Sequence, residues 1–543
     1  MLPANEPVWS YAPGSPERAA IQRELQRQAE SPVFVPMRIG GDAFAGESSL
    51  ALRAPHRHAL LLGEAAQGGR AEMQRAIQAA LTARAEWARR SQSARSAVFL
   101  RAAELLAGRY RQTLNAATML GQSKTVHQAE IDAACELCDF FRFNAHHAEE
   151  LCEGRLGGDL RSPAGQRNTW DYRPLEGFVY AVTPFNFTAI AGNLVSLPAL
   201  LGNVVVWKPS PYAVLSAHYL LQLLREAGLP EGVVQFVMGD AEALSEEALQ
   251  HKQLSGLHFT GSTRVLKKLS QRVAENLPNY REFPRVVGET GGKGFIVAHK
   301  SAELDALCVA TLRGGFEYQG QKCSAVTRVY VPRSLAVGFE RRLLELLASV
   351  KVGDPTDFSN FMAAVISRDA FDRLSLAIER ARQDRTCRVA AGGGCSDEAG
   401  FFVEPTLIQV LSPRHTLLSE ELFGPVVAFY VYDDDRFEEV LGACDSGSDY
   451  ALTGAIFARD PAAIETACST LRYSAGNFYV NDKPTGAVVG QQPFGGSRQS
   501  GTNDKAGSAQ HLLRWVSPRV IKENFAPPTD YRYPYLLKDS GNE

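Results

Sequence analysis

The chain has 543 residues, of which 45% are apolar and 22% are charged, and its 57 basic and 60 acidic residues give a net charge of −3. This composition excludes a disordered chain, and the lack of a basic excess argues against a nucleic-acid surface. Nine cysteines are too few for a disulfide scaffold and indicate a reducing, intracellular compartment. At about 150 residues per domain, the length alone predicts three to four domains.

The first 30 residues are polar and compatible with a helix, so we expect a peripheral lead-in. They contain no apolar segment of the kind that a secretory signal needs, and their four glutamates are atypical of a transit peptide. We therefore expect a cytoplasmic protein, or one of the mitochondrial matrix if the cell is eukaryotic. Residues 71–151 have apolar side chains at three- and four-residue spacing and predict helices. Residues 153–174, with four glycines and two prolines, predict an excursion from the core.

Residues 177–207 contain no charged side chain, and a run of 31 residues is long enough to cross a bilayer. However, Pro184, Pro198 and three asparagines interrupt the run, and β-rich segments at 178–182 and 204–207 flank its centre. We therefore interpret it as a buried strand–turn–helix–strand unit and expect no membrane segment.

From residue 175 onward, short apolar runs alternate with helical stretches. The runs are residues 178–182, 203–207, 233–237 and 256–259, then 295–298, 326–331, 426–432, 453–457 and 478–480. Helical segments at 335–350 and 368–383 separate several of the later runs. Such alternation predicts an α/β fold with parallel sheets, here two lobes that join near residues 288–294. The aromatic tail, residues 531–535, is expected to pack on another surface.

Three residues have surroundings that suit catalysis. Cys323 follows Gly320 in a polar segment, where a reactive thiolate finds exposure and donors, although most single cysteines are small buried hydrophobes. Glu289 lies between glycines at a predicted strand end, either as a general base or as a solvated turn residue, and the spacing around it does not match a nucleotide P-loop. Asn186 follows the first strand of the charge-free run, either as an oxyanion donor or as the cap of the next helix.

Two further pairs of residues each allow more than one interpretation. Gly261 and Ser262 separate a predicted strand from a predicted helix, where backbone N–H groups favour phosphate, although the sequence has no suitable GxGxxG fingerprint. Cys135 and Cys138 have CxxC spacing, but no second ligand pair accompanies them. We interpret these cysteines as structural residues on a helix and expect no metal site.

The order of these segments along the chain is specific. The series is Asn186, residues 207–210, Gly261 and Ser262, Glu289, Cys323, residues 421–425 and residues 493–501. It resembles the aldehyde dehydrogenase superfamily over about residues 30–525. Residues 183–188, 288–293, 320–324 and 490–496, followed by 500–504, are similar to the branch of that superfamily that oxidises L-glutamate 5-semialdehyde to L-glutamate.

The resemblance implies catalytic roles for three residues. The Cys323 thiolate would attack the aldehyde carbon, the Asn186 amide and the Cys323 backbone N–H would hold the oxyanion, and Glu289 would activate water to hydrolyse the thioester. The implied cofactor is NAD. Ser210 and Pro211 stand in place of an acidic residue that would have repelled the 2′-phosphate of NADP, so the resemblance favours NAD without securing it over NADP. The implied cofactor-binding residues are Thr183, Lys208, Gly261, Ser262, Glu421 and Phe423.

The same resemblance implies a site for an amino-acid semialdehyde. Ser324 and the backbone of Gly486 and Ala487 would bind the α-carboxylate, and Phe187 and Phe494 would enclose the aliphatic stem. Glu136, on a predicted helix, would meet the α-ammonium group, unless it is a solvated face residue.

The resemblance also implies a fold and an assembly. The expected fold is α/β, with a Rossmann-type NAD-binding lobe at 1–152 and 175–288 and an α/β catalytic lobe at 289–508. A small β oligomerisation flap at 153–174 and 509–543 would build a homodimer or a higher homo-oligomer. Alternatives remain open: an enzyme of this class for another semialdehyde or an aliphatic aldehyde, a CoA-acylating relative, or a non-catalytic protein on the same fold.

Overall fold

The computed structural model describes residues 2–154, 158 and 160–537. Its strands are β1 Val33–Val35, β2 Met37–Ile39, β3 Asp42–Phe44, β4 Ser48–Ala54, β5 Arg57–Gln67, β6 Gln166–Pro174, β7 Phe178–Val182, β8 Val204–Lys208, β9 Val234–Phe236, β10 Leu254–Thr260, β11 Arg285–Glu289, β12 Gly294–Ala298, β13 Val326–Pro332, β14 Cys387–Ala391, β15 Cys395–Ser396, β16 Phe402–Val403, β17 Thr406–Val410, β18 Val426–Tyr432, β19 Tyr450–Ala451, β20 Thr453–Phe457, β21 Asn477–Val480, β22 Ser497–Arg498 and β23 Val516–Asn524. Its α-helices are α1 Pro16–Glu30, α2 Arg70–Arg89, α3 Gln92–Ala107, α4 Arg111–Gln122, α5 Val126–Ala129, α6 Leu137–Cys152, α7 Thr188–Leu200, α8 Val214–Glu226, α9 Ala241–Gln250, α10 Thr263–Glu275, α11 Leu304–Phe316, α12 Arg333–Ala348, α13 Arg368–Gln383, α14 Phe437–Ser446, α15 Pro461–Thr470 and α16 Ala509–Leu512. A π-helical segment, Glu130–Glu136, joins α5 to α6.

Two seven-stranded sheets organise the described residues. The first has the order β11-β10-β7-β8-β9-β2-β3, in which β11 to β9 run parallel and β2 and β3 are antiparallel additions at one edge. The second has the order β14-β17-β18-β13-β12-β20-β21, and only its edge strand β14 is antiparallel to its neighbour. The chain passes from the first sheet to the second between Glu289, the end of β11, and Gly294, the start of β12.

The predicted α/β fold is confirmed, because every apolar run named above contains or overlaps a strand of one of these sheets. The charge-free run forms β7, α7 and β8, whose side chains are nearly all buried. Central parallel strands are covered by helices on both faces, which explains why they are continuously apolar rather than alternating. Among the described residues, no helix has both the length and the apolar character that crossing a bilayer requires.

Each lobe has its own hydrophobic interior. Side chains from the first sheet and its helices form one buried cluster, which also includes Leu512 and Trp515 from the C-terminal part of the chain. Two clusters on either side of the second sheet draw on residues between Phe295 and Leu471. The residues just after 508 therefore pack in the first lobe, and the antiparallel ribbon of the C-terminal part begins at Val516.

Some segments differ from the expectations. Residues 33–67 had no predicted secondary structure, and they form β1 to β5, including the sheet β1-β5-β4. Strands β6 and β23 pair with each other over their whole length in a two-stranded ribbon. The aromatic tail was expected to pack on another surface, yet Tyr531, Tyr533 and Tyr535 are exposed in the single chain. Residues 155–157, 159 and 538–543 of the expected flap lie outside the described residues.

Candidate active site

Cys323 lies in the short loop that leads into β13. A tight turn precedes it, with Gly320 in the left-handed region at φ 65°, and a Cβ at that position would collide with the carbonyl oxygen of Gly424. Only glycine fits there. The side chain of Gln319 also fixes the loop, because it donates to two backbone carbonyls of neighbouring segments and accepts from a backbone N–H, all at 2.8–3.0 Å. The thiol is therefore presented by a rigid loop.

The electrostatic surroundings of Cys323 favour the neutral thiol. Burial raises its pKa to about 12, and the carboxyl groups of Glu289 and Glu421 add to the increase. A thiol in such a place becomes a nucleophile only when a base or a nearby positive charge lowers the cost of ionisation.

The side chain of Asn186 points toward the Cys323 loop. Its Nδ2 donates to the carbonyl oxygen of Gln321 at 3.1 Å, so it does not cap the helix that follows. The capping role belongs to Asp132, whose two carboxylate oxygens accept the backbone N–H groups of Thr188 and Ala189 at 2.9 and 2.8 Å. The side-chain amide of Asn186 therefore donates to the loop that carries the thiol rather than to the helix.

Glu289 ends β11 at the junction between the two sheets. Its Oε2 is buried and has no hydrogen-bond partner among the residues that the structure describes. Burial raises its pKa well above the ordinary value, and the backbone N–H of Gly496 and the ammonium of Lys505 only partly oppose that increase. A carboxyl group whose affinity for protons is raised in this way suits general-base chemistry on water.

One cavity of about 430 Å³ lies beside Cys323. The structure places on its wall all six residues that were predicted to bind substrate, namely Ser324, Gly486, Ala487, Phe494, Phe187 and Glu136. The Ser324 hydroxyl lies 2.7 Å from the hydroxyl of Thr485, the residue just before the predicted carboxylate-binding backbone.

Glu136 is not a solvated face residue, since it ends the π-helical segment and faces the cavity. Burial, and then Asp132, raise its pKa to about 8.

Sequence reasoning missed two lysines on the cavity wall. Lys322 is buried and lies 3.3 Å from Glu317, and burial lowers its pKa to about 8. Lys483 donates from Nζ to the carbonyl oxygen of Thr485 at 2.8 Å. No motif identifies these lysines, because their role depends on which cavity they face. The wall also carries the carboxyl groups of Glu6, Glu136 and Asp139, so its charge is mixed. Within it the two lysines supply local positive charge that suits an anionic ligand group.

A second missed feature is a buried ion pair behind the cavity. Lys124 Nζ lies 2.7 Å from Asp132 Oδ2, and both side chains are completely buried. The ammonium also lies 4.1 Å from the ring centroid of Phe187 and 4.5 Å from that of Tyr318. Cation–π contact of this kind holds both rings in place. One lysine thus connects the predicted stem-binding ring with the turn that precedes Cys323.

Four predicted cofactor residues lie at the carboxyl ends of neighbouring parallel strands, which is where open α/β sheets bind ligands. Thr183 follows β7, Lys208 ends β8, and Gly261 and Ser262 connect β10 to α10. The Ser262 hydroxyl accepts the backbone N–H of Val265 and so caps α10, whose N-terminus suits a pyrophosphate.

The ammonium of buried Lys208 makes one hydrogen bond to the described residues, to the Pro209 carbonyl at 3.4 Å, and burial lowers its pKa. A buried ammonium with only one long hydrogen bond fits a binding site in which a polar ligand supplies further hydrogen-bond acceptors.

Glu421 and Phe423 approach from the second lobe. Glu421 accepts the backbone N–H of Gly292 at 2.8 Å, and burial raises its pKa to about 7. Phe423 has a left-handed backbone at φ 53° and packs edge-on against Phe185, with ring centroids 5.9 Å apart. Glu421 therefore contacts the junction between the two sheets, and Phe423 contacts the turn that follows β7. Together with the four residues of the first sheet, they form a set of polar and aromatic groups that fits a dinucleotide.

All nine cysteines carry free thiols. Cys135 and Cys138 are buried on the π-helical segment and α6, as expected for structural residues, but Cys135 also contributes to the cavity wall.

Comparisons with known proteins agree with this arrangement. The model of the aldehyde dehydrogenase family matches residues 44–521. The mitochondrial delta-1-pyrroline-5-carboxylate dehydrogenases of Bos taurus and Homo sapiens are 47% and 46% identical over 534 residues, covering 98% of this chain and 94% of those proteins. The crystal structure of the delta-pyrroline-5-carboxylate dehydrogenase from Mycobacterium tuberculosis bound with NAD has 50% identity and a TM-score of 0.95, covering 99% of this chain and 98% of that one. A Thermus 1-pyrroline-5-carboxylate dehydrogenase with bound NAD has 29% identity and a TM-score of 0.90, covering 96% and 99%.

The buried ion pair generates a prediction about stability. Lys124→Met leaves the Asp132 carboxylate buried without its counter-charge, so the free energy of unfolding should fall by about 3–5 kcal/mol. Lys124→Met combined with Asp132→Asn should recover only part of the loss. It removes the buried charge, but in the observed geometry the single asparagine oxygen can accept only one of the Thr188 and Ala189 N–H groups. Lys268→Met, which breaks an exposed pair with Glu242, is the matched control and should cost less than about 1 kcal/mol. Urea unfolding measures all three, and a loss of less than about 1 kcal/mol in the first variant contradicts the account.

The raised pKa of Cys323 generates a prediction about reactivity. In the protein without ligands, alkylation of Cys323 by iodoacetamide should accelerate about tenfold per pH unit between pH 7 and 10, because only the thiolate reacts. Mass spectrometry of the Cys323 peptide measures the rate, with the exposed Cys468 as an internal reference for reagent access. A rate that levels off near pH 8 would show that the thiol ionises far more easily than its surroundings imply.

Proposed function

Because this chain belongs to the aldehyde dehydrogenase family, we infer that it oxidises L-glutamate 5-semialdehyde to L-glutamate with NAD. The substrate arises by hydrolytic ring opening of 1-pyrroline-5-carboxylate, so the reaction is the second step of proline breakdown. The observation that carries this conclusion is the cavity beside Cys323, which joins a nucleophile to groups suited to an amino acid's carboxylate and ammonium.

The proposed chemistry begins at Cys323. Its thiolate forms a bond to the aldehyde carbon, and the carbonyl π electrons move to the oxygen, where the Asn186 amide and the Cys323 backbone N–H stabilise the negative charge. When the C=O bond re-forms, the hydride leaves the carbon and a thioester remains on Cys323. NAD, when bound, supplies the acceptor for that hydride.

Glu289 completes the proposed cycle. Its carboxylate takes a proton from water as the water oxygen bonds to the thioester carbon, and the carbon–sulfur bond then breaks to release glutamate and the thiolate. General-base catalysis of this kind contributes about 10²–10⁴ in rate. Because this chain has Glu289 as a general base, hydrolysis of the thioester by water is favoured over transfer of the acyl group to CoA.

The cofactor residues divide into three proposed groups. Lys208 and Glu421 bind ribose hydroxyls, and Thr183 lies beside them at the carboxyl edge of the first sheet. Gly261 and Ser262 present the start of α10 to the pyrophosphate. Phe423 packs on the nicotinamide side.

The substrate residues follow from the composition of the cavity wall. We propose that Ser324 and the backbone N–H groups of Gly486 and Ala487 bind the α-carboxylate and that Phe187 and Phe494 enclose the stem. Glu136 meets the α-ammonium, whose positive charge favours the ionised carboxylate over the neutral acid.

The lobes also have proposed roles. We propose that residues 1–152 and 175–288 form the NAD-binding lobe and that residues 289–508 form the catalytic lobe. The flap was expected to start at about residue 509, but Leu512 and Trp515 pack in the first lobe. We therefore propose that it consists of residues 153–174 and the stretch from Val516 onward, with β6 and β23 as its ribbon. We propose a cytoplasmic location, or the mitochondrial matrix in a eukaryote. The Bos taurus and Homo sapiens relatives are named as mitochondrial.

A homo-oligomer is proposed from the ribbon. A two-stranded ribbon is only marginally stable alone in water, and exposed apolar side chains extend from it into the C-terminal tail. These side chains are Val520, Ile521, Phe525, Tyr531, Tyr533, Tyr535, Leu536 and Leu537. A second copy of the chain that covers them would remove this apolar surface from water.

A panel of aldehydes tests the activity. The kcat/KM for L-glutamate 5-semialdehyde should exceed that for propanal or succinate semialdehyde by about a hundredfold, since those aldehydes leave buried polar groups unpaired. Cys323→Ala should abolish NADH formation and retain NAD binding, and Asn186→Ala should lower kcat by about 10²–10³. A preference for propanal or succinate semialdehyde, or turnover by Cys323→Ala, would refute the proposal.

Sedimentation velocity tests the oligomer. The wild-type chain should sediment as a dimer or larger species. The ribbon variant Val520→Glu with Ile521→Glu should shift toward the monomer, because successive strand residues point to opposite faces and the variant places charge on both faces of the ribbon. Val337→Glu, at an exposed apolar residue of α12, is the control and should leave the mass unchanged. A monomeric wild-type chain would contradict the proposal.

A further inference from the structure

Residues 5–11, which we name the N-terminal strap, contribute to the substrate cavity although they lie far from its other walls in sequence. Asn5, Glu6 and Val8 line it together with the segment that contains Gly486 and Ala487. The sequence reasoning treated this region as a peripheral lead-in, and the roles assigned above do not use it.

The strap is held by buried charges. Arg111, whose side chain is 1% exposed, pairs with Glu6 at 2.6 Å and with Glu130, and it also donates to the Pro7 carbonyl at 2.6 Å. Its guanidinium lies 3.9 Å from the ring centroid of Trp9. These contacts fix the path of the strap on α4 and the π-helical segment, so the strap is a structured part of the cavity wall.

Asn5 connects two sides of the cavity. Its Nδ2 donates to Asp139 Oδ2 on α6 and to the carbonyl oxygen of Val489, both at 2.8 Å. Its Oδ1 accepts from Gln491 Nε2 at 3.0 Å. The backbone N–H of Glu6 also donates to Asp139 at 2.7 Å. One side chain thus links the helix that follows Glu136 to the segment 485–492, which presents the proposed carboxylate-binding N–H groups.

We propose that Asn5 is a positioning residue and that the strap, through it, holds segment 485–492 in the geometry that binds the carboxylate of the substrate. This inference rests on the proposed function, because that function assigns the carboxylate to Gly486 and Ala487. Asn5 acts on affinity and not on the chemical step, since none of its hydrogen bonds to the described residues reaches Cys323, Asn186 or Glu289.

The test compares an aldehyde that has a carboxylate with one that lacks it. Asn5→Ala should raise the KM for L-glutamate 5-semialdehyde about fivefold to tenfold, as the loss of hydrogen bonds of ordinary strength implies, with kcat changed less than twofold. The kinetic constants for propanal should stay unchanged. Leu2→Ala, at an exposed residue just before the strap, is the control and should behave as wild type.

A second variant separates positioning from simple loss of folding. Gln491→Ala removes one bond to Asn5 at an exposed residue and should raise the same KM by a smaller factor. Combined with Asn5→Ala, it should add nothing further, because the bond it removes is already lost. NAD binding checks that each variant is folded.

The outcomes distinguish the two proposals. If the wild-type enzyme does not prefer glutamate semialdehyde, the proposed function fails. If it does, the strap proposal is overturned by a wild-type KM in both variants, or by equal losses for glutamate semialdehyde and propanal.

Discussion

The buried ion pair between Lys124 and Asp132 is the contact on which the geometry of the site depends. Asp132 accepts the first N–H groups of α7 and so fixes the turn that carries Asn186. Lys124 neutralises Asp132 and lies against the rings of Phe187 and Tyr318. The pair therefore joins the loop between α4 and α5, the π-helical segment, the Asn186 turn and the approach to Cys323. If the two side chains separate, each leaves a buried charge without a partner, which is costly. The pair therefore favours the one conformation of these segments in which the charges meet, even where it adds little net stability.

Around that pair the site concentrates ionisable groups whose charged forms are disfavoured by burial. The pKa of the Cys323 thiol and those of the Glu289, Glu136 and Glu421 carboxyls are all raised, whereas that of Lys322 is lowered. These shifts share one cause, the loss of water around a charge. A ligand that brings its own charges changes the balance, so a cationic ammonium or nicotinamide ring would favour ionised acids and thiolate. The net charge of −3 conceals this local organisation.

The sequence predicted most of the fold because its signals are local. Continuous apolar runs such as 178–182 and 204–207 predict buried parallel strands, and segments such as 320–324 combine glycine with one cysteine at a turn. The lysines and the strap could not be predicted in the same way. Lys124 looks like any solvated lysine until the fold buries it, and Asn5 reaches Val489 across nearly the whole length of the chain. Contacts of that kind depend on tertiary packing, which no pattern within a short window contains.

The central claim is that Cys323 holds the acyl group that water activated by Glu289 releases. Rapid mixing of Glu289→Gln with NAD and L-glutamate 5-semialdehyde tests it most directly. The account predicts a burst of about one NADH per chain followed by turnover slowed about 10²–10⁴-fold, with a glutamyl adduct on the Cys323 peptide in mass spectrometry. Steady turnover at the wild-type rate, with no burst and no adduct on Cys323, would contradict it.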